Sequence, residues 1–434
     1  MDVAQIRALQ PRLDDYLAHF ADCFARCDTR EHLAVYVRGQ LSDLAQKSVE
    51  PIALAAGIPP RTLQEFLARY KWDENALRQR LHQIVARDHA CPHSVGIIDE
   101  TSDTKKGVKT PGVQRQYLGC VGKQDNGIVT VHLGYAAGHF HTPLDGELFL
   151  PERWSGDRPR GREAGIPDAV VYRPKTDIAL ELYDRAVADG VRFAWLTFDA
   201  WYATKPAFLR ALDARGQTFV GEVHREVAAW TNRPRVTARP YRRGNRGRPR
   251  RTPRVVAGSP KPMTVGDMLR SHPPLRDQEW VRSRVKDGEK GPVVWEAKSI
   301  PIHPKNEDGL PERTDHLIVA RNVLAPDEVK YFVSNAPRAT PRTTLLLVAF
   351  SRWRVERCFE DEKGELGLDH DEGRKYQGLK RHLILTAVSH LFLARAHQGL
   401  RGEKPGADGV PGADGDVGGG PEPVGVGPLW GTAA

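Results

Sequence analysis

Between residues 94 and 223 the hydrophobic period changes repeatedly, and the order of those changes constrains the fold more than any other feature. SVGIID (94–99) is a short apolar run closed by an acid. RQYLGCVG (115–122) and GIVTVHLGYAA (127–137) read as two more strands, with KQDNG between them as a hairpin turn. TDIALELYDRAVADG then has apolar residues three and four apart, as a helix requires, and FAWLTFD is a buried strand. KPAFLRALDARG is a second helix and QTFVGEV a further strand. The predicted order is strand, strand, strand, helix, strand, helix, strand.

The flanks differ in kind. Residues 1–90 read as a helical N-terminal domain, with helical periodicity in RTLQEFLARY and ENALRQRLHQIVAR. Within it, SVEPIALAAGIPPRTLQEFLARY is compatible with a helix-turn-helix DNA reader and equally with an ordinary small helical bundle. The alternation of 91–223 stops after residue 224, and 224–340 reads as a basic, β-rich insertion. Helix returns over 341–400. Residues 401–434 hold eleven glycines and five prolines and read as a disordered tail, since five glycine triplets are too few for a collagen helix. A three-strand meander followed by helix–strand alternation is the order of the ribonuclease-H-like fold, by analogy. The fold expected is therefore α/β: a ribonuclease-H-like catalytic core interrupted by a β-rich insertion, with a helical N-terminal domain.

Charge narrows the partner. The chain is at +9, while the last 34 residues carry a net −3, so the preceding 400 residues carry +12. A basic folded body points to a polyanion, of which nucleic acid is the commonest. Five cysteines without a C-x-x-C pair or a ladder spacing argue for a reducing compartment and against a structural zinc site. MDVAQIRALQ has no basic region followed by an apolar run, and no apolar run approaches 18 residues. A cytoplasmic, nucleoid-associated protein with no membrane contact is expected.

Two acids close predicted strands: Asp99 ends the first and Asp199 ends FAWLTFD. In a ribonuclease-H-like sheet these strands are neighbours, so the two carboxylates would meet across 100 residues. Strand-end acids are also ordinary caps and turn residues. Further on, SRWRVERCFEDEKGELGL places Arg352, Glu356, Glu360 and Lys363 at i, i+4, i+8 and i+11 of one helical face. Trp353, Val355 and Phe359 among these charges imply packing close by.

These residues resemble a family. Asp99, Asp199 and Glu356 are similar to the acid triad of DDE transposases, and Arg352-x3-Glu356-x6-Lys363 matches the arginine, glutamate and lysine of the Tyr-x2-Arg-x3-Glu-x6-Lys signature of bacterial insertion-sequence transposases. IIDETSDTKKG and FDAWYATKP resemble the family's first two acid motifs, and the likeness runs over about residues 45–395. The signature tyrosine falls on Ala349, next to Phe350. The resemblance implies Mg²⁺-dependent DNA strand cleavage and strand transfer at the ends of a mobile element, with Mn²⁺ able to substitute. Asp99, Asp199 and Glu356 would be both catalytic residues and metal ligands, because magnesium takes hard carboxylate oxygens. Glu360 is the rival third ligand. Arg352 and Lys363 would hold DNA phosphates. The partner implied is double-stranded DNA, as terminal repeats and as target, and a homodimer on DNA is compatible with it. A catalytically decayed copy that only binds terminal repeats, and another ribonuclease-H-like nuclease, are the alternatives.

The insertion adds charge. Eleven arginines and one acid lie between Arg225 and Arg254, and Arg246, Arg248, Arg250 and Arg251 are assigned to DNA binding. Arg246-Gly-Arg-Pro resembles an AT-hook core, though a nonspecific phosphate-binding loop fits the same residues. Lys105 and Lys106, after the first acid, are either phosphate contacts or an exposed turn pair. Trp230 and Trp295 are read as core packing, and His139 and His141 as loop histidines without a ligand set.

Overall fold

In the computed structural model the structure describes residues 9–239, 252–288 and 291–401. Twelve strands among these residues form one mixed sheet, flanked by helices. Its centre is built from β1 (Val95–Thr104), β2 (Gln114–Leu118), β3 (Lys123–Ala137), β4 (Phe140–Leu148), β5 (Trp195–Phe198) and β6 (Phe219–Val223). β1 pairs antiparallel with β3 on one side and parallel with β5 on the other, and β5 pairs parallel with β6. The helices Lys175–Ala188 and Pro206–Ala214 make the crossovers that parallel neighbours need.

The meander differs from the sequence expectation. KQDNG is the first part of β3 and not a turn: Gln114 to Leu118 pair with Gly127 to Lys123. The reversal falls four residues earlier, at the 3₁₀ turn Gly119–Val121 and Gly122, whose φ of 63° suits glycine. The third strand along the meander is β4, which pairs with β3 from Thr130 to Ala137. His141 therefore sits in a strand, where its Nδ1 lies 3.1 Å from the His139 carbonyl, and is not a loop histidine.

Beyond β6 the sheet continues. Val281–Gly288, Gly291–Pro304, Asp315–Asn322 and Val329–Ser334 pair successively as an antiparallel meander, and the last of them pairs with β6. β6 would otherwise be an edge with unpaired N–H and C=O groups. Trp295, Ala297, Ile318, Ala320 and Phe332 from this segment share one buried cluster with Val95, Ile97 and Ala136 of the central strands and with Leu345, Leu346, Val355 and Phe359 from the helices beyond. Trp230 is also buried, with its Nε1 donating to the Pro260 carbonyl at 2.9 Å, so both tryptophans pack in the core.

The helices between residues 9 and 88 are tied to the long helix Tyr376–Leu400. Tyr16 Oη donates to the Val388 carbonyl at 2.8 Å, and Gln40 bonds Thr386 and Ser389 through its two amide atoms. Arg381 donates through its two terminal nitrogens to the carbonyls of Phe66, Leu67 and Trp72, at and just beyond a helix end. The apolar residues of these helices belong to the same core as Ile98, Leu196 and Phe198 of the sheet. The pair Val49–Ala55 and Pro60–Ala68 turns at Gly57, where φ is 69°. No helix among the described residues is long and apolar enough to cross a membrane.

Candidate active site

Backbone pairing alone brings the first two acids together. Val95–Ile98 run in parallel register with Trp195–Phe198, and Asp99 and Asp199 each follow by one residue. The period of two places Asp99 on the face of Val95 and Ile97. That face is covered by the helices Arg342–Phe350 and Trp353–Gly364. The second of these carries Glu356. Its buried stripe is Val355, Cys358, Phe359 and Glu362, at helical spacing, which turns Arg352, Glu356 and Glu360 outward. A Cβ on Gly134 of β3 would lie 3.4 Å from Val355 Cγ2, so glycine there lets this helix settle close to the sheet.

Arg352 joins the acids. One guanidinium nitrogen lies 2.8 Å from Asp99 Oδ2 and the other 2.8 Å from Glu356 Oε1. Asp99 also accepts the Glu100 N–H on Oδ1 at 2.8 Å. Asp199 caps the short helix Ala200–Ala203, accepting from Trp201 N and Tyr202 N on Oδ1 at 3.0 and 3.2 Å. Capping and membership of the acid pair are thus one arrangement: the cap fixes the carboxylate where the strand delivers it. Burial pushes the Asp99 carboxyl up to about 6; Arg352 opposes that shift, and the charges of Asp199 and Glu356 add to it. Asp99 therefore feels the charge of both other acids.

The other predicted residues fall as follows. Glu360 turns to Arg357, 3.3 Å away. Lys363 donates to the Ser102 carbonyl at 2.8 Å, beside Asp103 of β1. Lys105 pairs with Asp103 and donates to the Asp371 carbonyl at 2.6 Å. Ala349, at the signature tyrosine position, is buried, and Phe350 packs on Trp295 with ring centroids 4.6 Å apart. Arg246, Arg248, Arg250, Arg251 and the tail 402–434 lie outside the described residues.

Sequence reasoning passed over Glu100 and its surroundings. Glu100 points to the face opposite Asp99, where Lys175 Nζ lies 2.5 Å from its Oε2 and Tyr202 Oη donates to Oε1 at 3.1 Å. Burial raises its carboxyl, against the pull of Lys175 and Tyr202. The signal was the doubled acid Asp99–Glu100 within a strand, because successive strand residues face opposite ways.

Glu362, on the helix that carries Glu356, is a buried acid. Its Oε2 has no hydrogen-bond partner, and burial pushes its carboxyl from 4.5 up to about 8. Folding thus favours its protonated form. The stabilising contribution is complete below the unfolded value and is lost as the pH rises toward 8. Wild-type stability should fall across this window by up to about 1.4 kcal/mol per pH unit more than that of Glu362→Gln. Urea unfolding at pH 5 and pH 8 measures the difference; parallel slopes in the two proteins would place the proton elsewhere.

The fold and the site describe a mixed α/β protein with a carboxylate cluster where the parallel pairing of two adjacent strands ends, inside the first strand rather than at its end as the sequence suggested, completed by a helix from far along the chain. The family profile described as DDE superfamily endonuclease matches residues 19–292, and the chain belongs to that family of endonucleases. It is also similar to the probable transposase for insertion sequence element IS701 of Microchaete diplosiphon, 29% identical over 212 residues. That match covers 48% of this chain and 52% of the relative, so the chain spans about half the length of the curated relative it matches. Among solved structures, the NurA nuclease from Sulfolobus solfataricus aligns over 65% of this chain and 86% of its own at 13% identity. The TM-score is 0.23, too low to bear on the fold.

Endonucleases of this superfamily generally use divalent metal ions. Among the described residues no group of three His, Cys, Asp or Glu side chains is already arranged as a metal site. The donor set nevertheless suits a hard cation: Asp99 and Glu356 hold a positive guanidinium between them, and Asp199 stands beside Asp99. The residues present fit such a group.

Proposed function

We propose that this chain is a transposase with a ribonuclease-H-like core, cutting DNA at the ends of a mobile element and joining the cut ends to target DNA. The observation that supports it most is the register of β1 and β5, which sets Asp99 beside Asp199, with Glu356 linked to Asp99 through Arg352. The strand order β4-β3-β1-β5-β6, with β3 alone antiparallel to its neighbours, supports the ribonuclease-H-like reading.

Asp99, Asp199 and Glu356 would hold Mg²⁺, with Mn²⁺ able to substitute. Two such ions, when bound, would supply a nucleophile at neutral pH and charge stabilisation at the leaving oxygen. The protein's part is placement. The cap holds Asp199 Oδ1 between two N–H groups, and the Glu100 N–H orients Asp99. Glu356 stands half-exposed, on the open side. Arg352 balances the acids before DNA arrives and is then in reach of a phosphate at the same place. Lys363 would serve the same strand from the next turns of its helix.

The substrate is double-stranded DNA, and the enzyme works in the cytoplasm on the nucleoid. The test is incubation with duplexes carrying the element's own ends. Strand cleavage at the element boundary is expected with Mg²⁺ or Mn²⁺, and binding without cleavage with Ca²⁺. Binding without cleavage in all three ions would mark a protein that only occupies its repeats.

Arg246, Arg248, Arg250 and Arg251 would neutralise further phosphates. Replacing all four with uncharged residues should flatten the plot of log affinity against log salt by up to about 0.9 for each phosphate no longer neutralised. An unchanged slope would place this stretch away from DNA.

A further inference from the structure

The backbone pairing that aligns the first two acids stops one residue short of them. β1 and β5 are in parallel register from Val95 and Trp195 to Ile98 and Phe198. Beyond that point β1 runs on with β3, while the chain leaving β5 turns into the helix Ala200–Ala203. The ladder therefore no longer fixes the spacing of Asp99 and Asp199, and a side-chain bond on the opposite face of the sheet takes its place. Tyr202 is fully buried, and its Oη donates to Glu100 Oε1 at 3.1 Å. The N–H of Glu100 donates to Asp99 Oδ1 at 2.8 Å, and the N–H of Tyr202 donates to Asp199 Oδ1 at 3.2 Å. A path of hydrogen bonds thus runs from the first acid to the second through Glu100 and Tyr202. Lys175 occupies the other carboxylate oxygen of Glu100, which gives the buried anion a counter-charge and leaves Oε1 to the phenol.

Two carboxylates that share a cation must be held to within about half an ångström of the productive geometry, and groups behind the ligands do much of that work. Glu100 faces away from the acids, so it serves them from behind and is not a ligand itself. Tyr16, buried among the helices, spends its hydroxyl on a backbone carbonyl. Tyr202 instead bonds the neighbour of one acid while its own N–H serves the other. We propose that the Tyr202–Glu100 bond is a strut that sets the separation of Asp99 and Asp199, which makes Glu100 and Tyr202 positioning residues for the metal-binding pair. The strut rests on the reading of these acids as metal ligands, and not on which DNA is cut.

Calorimetric titration of Mn²⁺ into the full chain without DNA tests the strut, with the heat lost in Asp99→Ala marking the site. Tyr202→Phe keeps the ring and removes the bond, and should weaken Mn²⁺ binding roughly 10- to 100-fold, as loss of a partner behind a ligand does. Tyr16→Phe removes a buried phenol bond between two helices that carry none of the acids, and should bind Mn²⁺ as the wild type does. Glu100→Gln keeps an oxygen for the phenol and should lose less than Glu100→Ala. The double variant Glu100→Ala/Tyr202→Phe should lose no more than Glu100→Ala alone, because both remove one interaction. Wild-type Mn²⁺ affinity in Tyr202→Phe would overturn the strut. So would an equal loss in Tyr16→Phe, which would reduce the effect to stability, or fully additive losses in the double variant. A wild type with no Asp99-dependent uptake of Mn²⁺ would overturn the strut and the metal reading together. If Tyr202→Phe loses Mn²⁺ while the wild type never cuts the element's ends, the transposase reading fails and the strut stands.

Discussion

Alanine at Asp99, Asp199 or Glu356 should each lower single-turnover cleavage by about three orders of magnitude or more, ~4 kcal/mol or more of barrier. Binding to the element's ends should change little, because phosphate grip depends on cations elsewhere on the surface. The three losses should also be similar in size and far from additive, as expected when residues act as one unit. Asp99→Asn is the informative partner variant, since it keeps the shape of the side chain and removes the charge that faces Arg352. Glu360→Ala is the control on the same helix: its carboxylate is turned to Arg357, so cleavage should stay within a few-fold of wild type. Normal cutting by Glu356→Ala, with loss in Glu360→Ala, would assign the third acid to Glu360 and require this helix to rotate.

Arg352 carries the second large effect, and it has two signs. The guanidinium sits between Asp99 and Glu356, so any cation entering there must displace it. Two unit charges about 4 Å apart near a protein surface attract by roughly 4 kcal/mol before desolvation is counted. Removing the competitor should therefore tighten metal binding, by about tenfold or more. Cleavage should move the other way, slowing by about one to three orders of magnitude, because the charge that would meet the phosphate is gone. Isothermal titration of Mn²⁺ into Arg352→Gln, with cleavage rates on pre-bound ends, measures both. Arg352→Lys should keep part of the charge and little of the bridge, since one ammonium cannot span two carboxylates as a guanidinium fork does. Weaker Mn²⁺ binding in Arg352→Gln would mean that the guanidinium orients the acids for the metal and does not compete with it.

Local signals in the sequence sufficed for part of this. The apolar runs at 94–99 and 193–199 end in acids, and Asp199 does follow its strand, but Asp99 lies inside β1, which β3 keeps paired as far as Thr104. The helical spacing of Arg352, Glu356 and Lys363 is set by 3.6 residues per turn and needs no fold to be read. The signal failed where two structures share one local pattern. KQDNG has turn chemistry, yet pairing with Gln114–Leu118 holds it extended, because a strand partner satisfies its backbone more fully than a turn does. FHTPLDGEL reads poorly as a strand, with a proline and a glycine in it, and becomes β4 because β3 offers it an edge and the long helix covers it.

The sequence by itself determined which residues carry charge, which faces are apolar and most of the helices and strands, since these follow from side-chain chemistry and period. Only the tertiary structure decided who meets whom. The parallel register sets Asp99 beside Asp199, Gly134 admits the helix that brings Glu356, and Arg352 closes the triangle. The tertiary structure also carried the meander of 281–334 onto the edge of β6 and wrapped the first helices around the last one. None of these pairings is local. Each depends on burying apolar faces and pairing strand edges across tens to hundreds of residues, and that is settled by the whole chain packing at once.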